Sequence, residues 1–376
     1  MTDTGRTETI LFDEVKTACG RFVGRATLNM PRAFNPLGLD MIEALQARLD
    51  DWLVRDDIVA VWLEGSGHKA FCAGGDVIAL HKSMVQYAGQ PRNPFVEAYF
   101  AEEYRLDYRL HTAAKPIICW GEGLIMGGGM GLMQAGDFRL VTSNSRLAMP
   151  EVTIGLFPDV GASWFLNRLP GKAGLFLGLT GAHVNARDAL ALGMADRFMD
   201  ADRETVLAGL AACHFSDDGA ENCRQLFHYF QHCAADAATL DGPIMAHLET
   251  INRLCDAASV SEVVTRIQQS SEADAWLAKA RQTLAAGCPQ TIHLVWEQLR
   301  RGRHLSLAEV FRMEWCLAVH CGQHGDFLEG IRALLVDKDG APRFRYPRVD
   351  QVPADYIDGF FHCPLPAHPL ADLGAQ

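Results

Sequence analysis

Two glycine-rich segments contain the first residues whose types and spacing suggest chemistry. The segment HKAFCAGGD covers residues 68–76, and MGGGMGL covers residues 126–132. Each follows an apolar run typical of a strand and precedes helical sequence. Glycine lets the main chain approach a ligand, and unpaired amide N–H groups at a helix N-terminus attract negative charge. Two such turns can form an oxyanion hole, although glycines that only permit tight turns give the same pattern.

A third segment, AMPEVTIGLFPDVGASWFL at residues 148–166, places two carboxylates among apolar neighbours. Burial of Glu151 beside residues such as Met149 would raise the pKa of its carboxyl group, which suits a general base near neutral pH. The alternative is that Glu151 caps one helix and Asp159 caps the next helix at Gly161. The spacing alone leaves both interpretations open.

The first 200 residues alternate strand and helix patterns that would position these segments. Residues 9–15 and 22–28 are predicted as two strands, and residues 40–54 have an apolar helical stripe, which gives a strand-strand-helix unit. Later elements of the same kind are strands at 60–64, 116–120 and 138–142 and a helix at 95–111. Because the unit recurs, the sequence predicts an α/β fold.

After residue 200 the composition favours helices, and no convincing strand is predicted up to about residue 335. Before that point, Asn185 is a predicted N-cap, Asp188 lies at the capping-box position, and Gly193 is placed to end the helix. Loops within the helical part are predicted at 217–222, 241–243 and 287–289. We therefore expect a core domain at residues 1–200 and a mostly helical C-terminal region at residues 201–376.

Charge and cysteine content restrict the class of protein. The chain has 376 residues, with 46 acidic and 34 basic side chains and a formal net charge of -12. This charge opposes binding to nucleic acid or to a membrane surface, so an anionic ligand must meet locally placed cations. Eleven cysteines without regular spacing, and an N-terminus (MTDTGRTETILF) without an apolar signal core, predict a cytoplasmic protein. The most apolar run, residues 123–133, is shorter than the roughly 20 residues of a membrane-spanning helix.

Other kinds of catalytic or cofactor site fit the sequence poorly. A dinucleotide-binding G-x-G-x-x-G pattern fails because Leu132 occupies the position of the last glycine. Cys72 lies beside the first glycine turn, but no histidine partner is evident in its AFCAGGD motif. Ser163 lacks the second glycine of a nucleophile elbow, so a Ser-His-Asp hydrolase is not predicted.

Two histidine pairs have the spacing of zinc ligands on a helix. His228 and His232 are four residues apart, as are His320 and His324, and cysteines lie nearby. However, the stretch 213–233 contains no C-x-x-C pair and is predicted as helix. Ordinary helix residues explain these pairs better, and we predict no metal site.

The ordered set AFCAGGD, MGGGMGL, MPEVTIGLFPDVG and LTGAHVNARDALALGMAD resembles the enoyl-CoA hydratase/isomerase (crotonase) superfamily, and specifically its 3-hydroxyisobutyryl-CoA hydrolase branch. The resemblance covers about residues 10–200 and returns at DFLEGIRALLVDKDGAPRF, residues 326–344. The string PE-x-x-IGLFPDVG is its most specific part because it separates this branch from ordinary hydratases. The resemblance implies a crotonase-like ββα spiral core and a mostly helical C-terminal region that covers the active site.

The resemblance implies roles in the reaction for five residues. The backbone N–H groups of Gly75 and Gly128 would form the oxyanion hole for the thioester carbonyl. Glu151 matches the catalytic glutamate of the branch, and Asp159 matches its accompanying aspartate. Glu103, in the EEY string, matches a glutamate that contacts substrate.

The resemblance also implies contacts with the CoA part of a substrate. Ala73 lies where the main chain of the family meets the adenine, and Lys69, Arg32 and Lys338 match positions that often hold cations near the phosphates. For Arg32 and Lys338 a solvated charge is an equal alternative. No cofactor is expected, since CoA is part of substrate and product. The expected partner is a small acyl-CoA molecule, and the sequence leaves a homo-oligomer open.

One departure from the wider superfamily bears on the reaction. Hydratases of the superfamily have a second glutamate three residues after the oxyanion glycine, where this chain has Gly131. Hydration of a C=C bond normally recruits two facing carboxylates, whereas a thiolate leaves a thioester with little protonation. We therefore expect hydrolysis of 3-hydroxyisobutyryl-CoA, and of the shorter 3-hydroxypropionyl-CoA, in valine breakdown. A hydratase or isomerase, and a CoA-ester-binding protein without catalysis, are the alternatives.

Overall fold

The computed structural model describes residues 8–271 and 273–375. Part of the N-terminal segment used for the cellular prediction therefore lies outside the described residues. The chain forms two compact units, each made of three separate segments. Unit 1 contains the described residues of 1–75, 109–147 and 185–241, and unit 2 contains those of 76–108, 148–184 and 242–376. The domain division at residue 200 stays a prediction.

The strands lie between residues 10 and 198 of the described chain. Their bounds are β1 (Ile10–Lys16), β2 (Phe22–Leu28), β3 (Ile58–Gly65), β4 (Ala70–Cys72), β5 (Ile117–Gly121), β6 (Leu124–Met126), β7 (Phe138–Val141), β8 (Arg146–Ala148), β9 (Val184–Asn185) and β10 (Arg197–Phe198). The strands predicted from apolar runs are confirmed to within about two residues at each end, the usual uncertainty for element boundaries. The region from 201 to 335 contains no strand in its described part, as predicted.

Helices occur throughout the chain and account for most of its C-terminal part. Their bounds are α1 (Leu39–Val54), α2 (Val77–Gln86), α3 (Pro94–His111), α4 (Gly128–Gln134), α5 (Ala162–Phe165), α6 (Ala173–Thr180), α7 (Ala186–Ala191), α8 (Arg203–Ala211), α9 (Gly219–Cys233), α10 (Pro243–Ala246), α11 (Leu248–Cys255), α12 (Val260–Gln269), α13 (Ala275–Ala286), α14 (Pro289–Gly302), α15 (Leu307–His324), α16 (Asp326–Ile331) and α17 (Ala354–Gly359).

The larger sheet belongs to unit 1. Its strand order is β1-β2-β3-β5-β7-β10, with β1 antiparallel to β2 and every other neighbouring pair parallel. All residues of β3 are buried, which explains why residues 58–63 form a continuous apolar run instead of an alternating one. Trp62 of β3 stacks on Trp120 of β5, with ring centroids 5.8 Å apart, in the core of this unit. The predicted α/β fold is confirmed.

A smaller sheet has the strand order β4-β6-β8-β9. Within it, β4 pairs with β6 in parallel, so that Ala70 lies opposite Leu124 and Cys72 lies opposite Ile125. Strand β4 lies within the first glycine-rich segment, and β6 ends at the first residue of the second. The pairing therefore brings the two segments to the same end of the sheet in unit 1.

Local capping explains where two helices begin. Asn185 is the N-cap of α7, since its side chain accepts from Asp188 N–H at 2.9 Å, and Gly193 after the helix has a φ of +71°. Both predictions are confirmed. The loop predicted at 217–222 is wrong from residue 219 onwards, because Asp218 caps α9 by accepting from Ala220 N–H at 2.9 Å.

Two further features were addressed by the sequence predictions. None of the helices within the described part of the chain is both long and apolar enough to cross a membrane. All eleven cysteines are free thiols.

Candidate active site

The two glycine turns lie against each other in unit 1. A Cβ atom added to Gly129 would lie 2.2 Å from the Cys72 carbonyl oxygen, and one added to Gly74 would lie 3.6 Å from the Met126 carbonyl oxygen. The first distance is far below a van der Waals contact, so only glycine fits at residue 129. The glycines thus do more than turn the chain, because they permit the second turn to pack directly on the first.

The backbone N–H groups of Gly75 and Gly128 are free hydrogen-bond donors within the described residues. Gly74 and Gly127, the residues that precede them, have φ values of +117° and +47°, which favour glycine. Gly128 is the first residue of α4, and no side chain caps that helix. Neither N–H group has an acceptor among the described residues. Unit 1 therefore presents two unpaired main-chain donors on adjacent turns.

Glu151 begins a short 3-10 turn in unit 2 and is 5% exposed. Its Oε2 atom is buried without a hydrogen-bond partner. Burial raises the pKa of Glu151 well above its usual range, and the negative charge of Asp159 raises it further. The side chain caps no helix, so the capping alternative for Glu151 is excluded.

The loop that follows Glu151 packs against the region where the sequence resemblance returns. A Cβ atom at Gly155 would lie 2.4 Å from the Asp326 carbonyl oxygen, and one at Gly330 would lie 2.3 Å from the Ile154 carbonyl oxygen. Both segments belong to unit 2. This close contact explains why IGLF and LEGI contain glycine. It also supports the loop that follows Glu151.

Asp159 lies in the same unit and is 3% exposed. Its Oδ2 atom accepts a hydrogen bond from the Tyr104 hydroxyl group at 2.8 Å. Burial raises the pKa of Asp159 to about 7, although this hydrogen bond lowers it in part. Helix α5 has no side-chain cap from its own segment, so the capping alternative for Asp159 is excluded as well.

Helix α3 contributes three polar side chains to this region. Glu103 and Asp107 are one helical turn apart, and Tyr104 lies between them in sequence. Burial and the charge of Asp159 raise the pKa values of Glu103 and Asp107 well above the usual range. Both carboxyl oxygens of Asp107 are buried without a partner. Sequence reasoning found Glu103 but missed Tyr104 and Asp107.

A fifth buried carboxylate, Glu314 of α15, was also missed. Its Oε2 atom accepts from Gly161 N–H at 2.7 Å and its Oε1 atom accepts from Ser163 N–H at 2.8 Å. Burial raises the pKa of Glu314 to about 8, and these two hydrogen bonds lower it in part. The one sequence signal was an acidic residue on the apolar face of α15, between Phe311 and Trp315.

The five acids form what we call the carboxylate cluster of unit 2. They share deep burial and the absence of any ion pair in the described part of the chain: Glu103, Asp107, Glu151, Asp159 and Glu314. A buried carboxylate without a cation is strongly disfavoured, and neighbouring carboxylates oppose each other's ionisation. The charged form is disfavoured least where N–H or O–H donors are present, which is the case for Asp159 and Glu314, although burial keeps the pKa of both carboxyl groups raised.

The residues expected to contact CoA lie outside this cluster. Lys69 and Arg32 are exposed in unit 1, and Lys338 is exposed in unit 2 with a φ of +58°. The Ala73 N–H group donates to the Phe34 carbonyl oxygen at 3.0 Å. These positions leave the three cations accessible to a ligand but do not test the predicted contacts.

Within the described residues, neither the alternative nucleophiles Cys72 and Ser163 nor the two histidine pairs are arranged for catalysis. Cys72 and Ser163 are fully buried, and the Ser163 hydroxyl group has no hydrogen-bond partner. His228 and His232 are exposed on α9. No group of potential metal ligands in the described residues includes either histidine pair.

One other group in unit 2 has ligand atoms within 4.8 Å of one another: Cys316, Cys363 and His368. His368 Nδ1 accepts from the Leu370 N–H group at 3.0 Å, so Nε2 carries the proton and donates to the Arg312 carbonyl oxygen at 3.0 Å. A metal ligand needs a free lone pair on Nε2, and this tautomer does not provide it. The group therefore gives no support for a metal site.

Comparison with known proteins identifies similar sequences over nearly the whole chain. Residues 23–361 match the model of a family described as enoyl-CoA hydratase/isomerase. The mitochondrial 3-hydroxyisobutyryl-CoA hydrolase of Danio rerio is 37% identical over 356 residues, which is 94% of this chain and 89% of that protein. The mitochondrial 3-hydroxyisobutyryl-CoA hydrolase of Homo sapiens is 32% identical over 340 residues, which is 90% of this chain and 86% of that protein.

Solved structures give the same result for the fold. A crystal structure described as an enoyl-CoA hydratase from Rhodobacter sphaeroides 2.4.1 is 31% identical, with a TM-score of 0.80 over 94% of this chain and 97% of that one. A carnitinyl-CoA dehydratase from Mycobacterium thermoresistibile is 29% identical, with a TM-score of 0.81 over 95% of this chain and 97% of that one. The predicted fold class is confirmed.

Proposed function

The chain belongs to the enoyl-CoA hydratase/isomerase family, and from this premise we propose that it hydrolyses the thioester bond of 3-hydroxyisobutyryl-CoA. The products are the free hydroxy acid and CoA. The relatives from Danio rerio and Homo sapiens named above are hydrolases of this ester, and they match 94% and 90% of the chain. The shorter 3-hydroxypropionyl-CoA is proposed as a second substrate.

The observation that carries this proposal is the burial of the Glu151 carboxyl group together with its raised pKa. Its carboxyl group is buried, has one oxygen without a partner, and has a pKa well above the usual range because of burial and of Asp159. Such a group is a stronger base than an exposed carboxylate. Gly131, in the position where hydratases of the superfamily have a second glutamate, further favours hydrolysis over hydration.

In the proposed reaction the N–H groups of Gly75 and Gly128 donate to the thioester carbonyl oxygen. They stabilise the negative charge that develops on this oxygen in the tetrahedral intermediate, and one such donor typically contributes about 10² to 10³ in turnover. The two amides are free and adjacent in unit 1, which supports this role. Glu151 belongs to unit 2, and its approach to the same carbonyl is part of the proposal.

Glu151 then acts on the carbonyl carbon in one of two ways. As a general base it removes a proton from water while the water oxygen attacks, and as a nucleophile it forms a mixed anhydride that water hydrolyses afterwards. In both routes the C–S bond breaks, and the sulfur leaves with the electron pair and is protonated to CoA-SH. Both routes need the carboxylate, so the rate rises with pH as Glu151 loses its proton.

The 3-hydroxyl group of the acyl chain needs a partner of its own. Asp159 and Glu103 are the candidates, because both are buried acids of the carboxylate cluster. A site that forms a hydrogen bond with a hydroxyl group rejects the analogue without it more strongly than an apolar pocket rejects a missing methyl group. Asp159 is the stronger candidate because the Tyr104 hydroxyl group fixes its orientation.

The CoA moiety is proposed to meet main chain at Ala73 and the cations Lys69, Arg32 and Lys338. No cofactor takes part in the proposed reaction. A cytoplasmic location and a homo-oligomeric assembly stay predictions, and the hydrolases from Danio rerio and Homo sapiens are described as mitochondrial.

A free-thiol assay over a panel of acyl-CoA esters tests the proposed function. We expect CoA-SH release from 3-hydroxyisobutyryl-CoA and 3-hydroxypropionyl-CoA, and slower release from isobutyryl-CoA. Crotonyl-CoA is followed in parallel by its enoyl absorbance, which decreases only if the chain is a hydratase. Loss of enoyl absorbance without thiol release contradicts the hydrolase proposal, and ester binding without either signal indicates a binding protein.

A further inference from the structure

The segment that contains Asp159 has unusual backbone angles and no side-chain cap of its own, although the Ala162 N–H group donates to the Asp159 carbonyl oxygen at 2.8 Å. Val160 has a φ of +52°, which a β-branched residue seldom adopts, and Gly161 has a φ of +86°. The following helix, α5, has only four residues and no side-chain cap from its own segment. Side-chain support for the position of Asp159 must therefore come from other parts of unit 2.

Two helices distant in sequence supply this support. Glu314 of α15 accepts from the N–H groups of Gly161 and Ser163, so both of its oxygens are used, and its side chain is completely buried. Gln298 of α14 donates from Nε2 to the Pro158 carbonyl oxygen at 2.6 Å. Side-chain hydrogen bonds from α14 and α15 therefore hold the turn directly before Asp159, at Pro158, and soon after it, at Gly161 and Ser163.

The Asp159 side chain itself is held by Tyr104 of α3. The Tyr104 hydroxyl group donates to Oδ2, and the Tyr104 ring packs on Phe311 with centroids 5.7 Å apart. Phe311 lies on α15, three residues before Glu314. The same helix therefore supports both the turn and the residue that orients the carboxylate.

We propose that Glu314 and Tyr104 are positioning residues for the Asp159 carboxylate, and that they set a preference for acyl-CoA esters with a hydroxyl group on the acyl chain. The inference rests on the proposed hydrolase function. Glu314 fixes the main chain on which Asp159 is carried, and Tyr104 fixes the carboxylate with a hydrogen bond. Because both its main chain and its side chain are held, the Asp159 carboxylate accepts a substrate hydroxyl group in one geometry only. A fixed geometry is the condition for strong discrimination between esters with and without that hydroxyl group.

The charge on Asp159 connects this arrangement with pH. The titratable groups that face it are Glu103, Tyr104 and Asp107 from α3, Glu314 and Cys321 from α15, and Glu151. Burial raises the pKa of Asp159 to about 7, and the hydrogen bond from Tyr104 lowers it. A hydrogen bond to an ionised acceptor is roughly twice as strong as one to a neutral acceptor. Preference for the hydroxylated ester should therefore increase as the pH rises through about 7.

The measurement is a ratio between two esters, which removes the contributions that are common to both. Values of kcat/KM are determined for 3-hydroxyisobutyryl-CoA and for isobutyryl-CoA between about pH 5.5 and about pH 8.5, where a group of this pKa titrates. Glu151, the oxyanion donors and the thiolate act on both esters, so their contributions cancel in the ratio. We expect the ratio to increase about tenfold over this range.

The variant Tyr104→Phe removes one oxygen and keeps the ring. Without the donor the pKa of Asp159 rises, so the midpoint of the ratio shifts to higher pH and the ratio at pH 7 decreases about threefold to tenfold. Tyr108→Phe is the matched control, because Tyr108 lies one turn later on α3 and also packs on Phe311, with centroids 6.3 Å apart. This control should leave both the midpoint and the ratio unchanged.

The variant Glu314→Gln keeps the size of the side chain but turns an NH₂ group towards one of the two amide donors. The turn then moves, and we expect the ratio to decrease about tenfold at every pH, with less than about a threefold change in kcat for isobutyryl-CoA. Glu309→Gln is the control on the same helix. Glu309 also accepts two hydrogen bonds, from Ser306 N–H and Oγ at 2.7 Å, but belongs to an exposed capping box.

Two results overturn the inference. One is an unchanged midpoint in Tyr104→Phe, and the other is an equal loss on both esters in Glu314→Gln. If Glu314→Gln does not fold, as shown by circular dichroism, Tyr104→Phe alone decides. Failure of the proposed function is recognised separately, because the unmodified chain would then release thiol from neither ester.

Discussion

The glycine turns of unit 1 and the carboxylate cluster of unit 2 are built in different ways. The turns need only two neighbouring strands, β4 and β6, and residues without side chains, so their donors belong to the main chain. The cluster needs acids from α3, from the loop around Glu151 and from α15, which are up to about 200 residues apart. Both sites need contacts between separate segments, but the donors of the turns are main-chain amides that do not titrate, whereas the ionisation of a carboxylate depends on its neighbours.

The largest effect is expected in the cluster, for Glu151→Gln. The variant keeps the shape of the side chain and loses its basicity, so kcat for 3-hydroxyisobutyryl-CoA should decrease about 10³- to 10⁴-fold with KM within about threefold. Steady-state thiol release measures both constants. Glu249→Gln, at an exposed position on α11, is the control. A Glu151→Gln rate near that of the unmodified chain would refute the assignment of Glu151.

The next effect tests the glycine turns, through Gly129→Ala. The added Cβ would lie 2.2 Å from the Cys72 carbonyl oxygen, so the two turns must separate and the Gly128 donor must move. We expect a loss of about 10² to 10³ in kcat. Gly219→Ala is the matched control at the first residue of another helix, since no atom lies within 4 Å of its added Cβ. Equal kcat values for the two variants would show that the packing of the turns is irrelevant to catalysis.

A smaller effect is expected for Asp159→Asn, which changes charge within the cluster. On 3-hydroxyisobutyryl-CoA the variant should lose about 10- to 100-fold in kcat/KM, because a charge-assisted hydrogen bond is weakened. On isobutyryl-CoA the acidic limb of the pH profile should shift to lower pH, since the Asp159 charge raises the pKa of Glu151. An equal loss on both esters, or a shift to higher pH, would contradict the role given to Asp159.

The cluster should also make stability depend on pH. Raised pKa values mean that the folded state keeps protons that the unfolded state releases, so the free energy of unfolding decreases as pH rises from about 4 towards the folded values of about 7 for Asp159 and about 8 for Glu314. Asp107→Asn removes one such acid. We expect the variant to be more stable than the unmodified chain by about 1–3 kcal/mol at pH 8 and equal to it at about pH 4.

Urea unfolding at the two pH values measures this difference. Asp56→Asn, at an exposed position, is the control and should leave the difference between the two pH values unchanged. A gain of the same size at both pH values would show that ionisation of Asp107 is not its cause.

The smallest effect is expected for Lys69→Ala, next to the first glycine turn. Lys69 is exposed, so its attraction for a CoA phosphate is screened by salt, and KM should increase only about twofold to fivefold at low ionic strength. The increase should disappear at about 0.5 M salt. Lys279→Ala on α13 is the control, and KM values that agree for the two variants would argue against a phosphate contact at Lys69.

The fold was largely predictable because its signals are local. Apolar runs identified the strands of the large sheet, and the side chain of Asn185 identified the start of α7. The error at residues 217–222 has a local cause too, since Asp218 was assigned to a loop although it caps α9.

The site was predictable only in part. Glu151 and Asp159 were found because acids in an apolar loop are unusual, and Glu103 was found from the family resemblance. Tyr104 and Glu314 stand in helices where their types are ordinary, and their importance depends on hydrogen bonds across 55 and 151 to 153 residues of sequence. Such contacts exist only after the three segments of unit 2 have come together.

The interleaving of segments has a consequence for synthesis of the chain. When residue 241 has left the ribosome, every segment of unit 1 has been made, including both of the paired strands next to the glycine turns. The third segment of unit 2 follows later, and translation that stops anywhere between residues 242 and 313 yields a product with Glu151 and Asp159 but without Glu314. A truncated polypeptide of this kind would contain both acids of the proposed reaction and still lack the cap of the Asp159 turn.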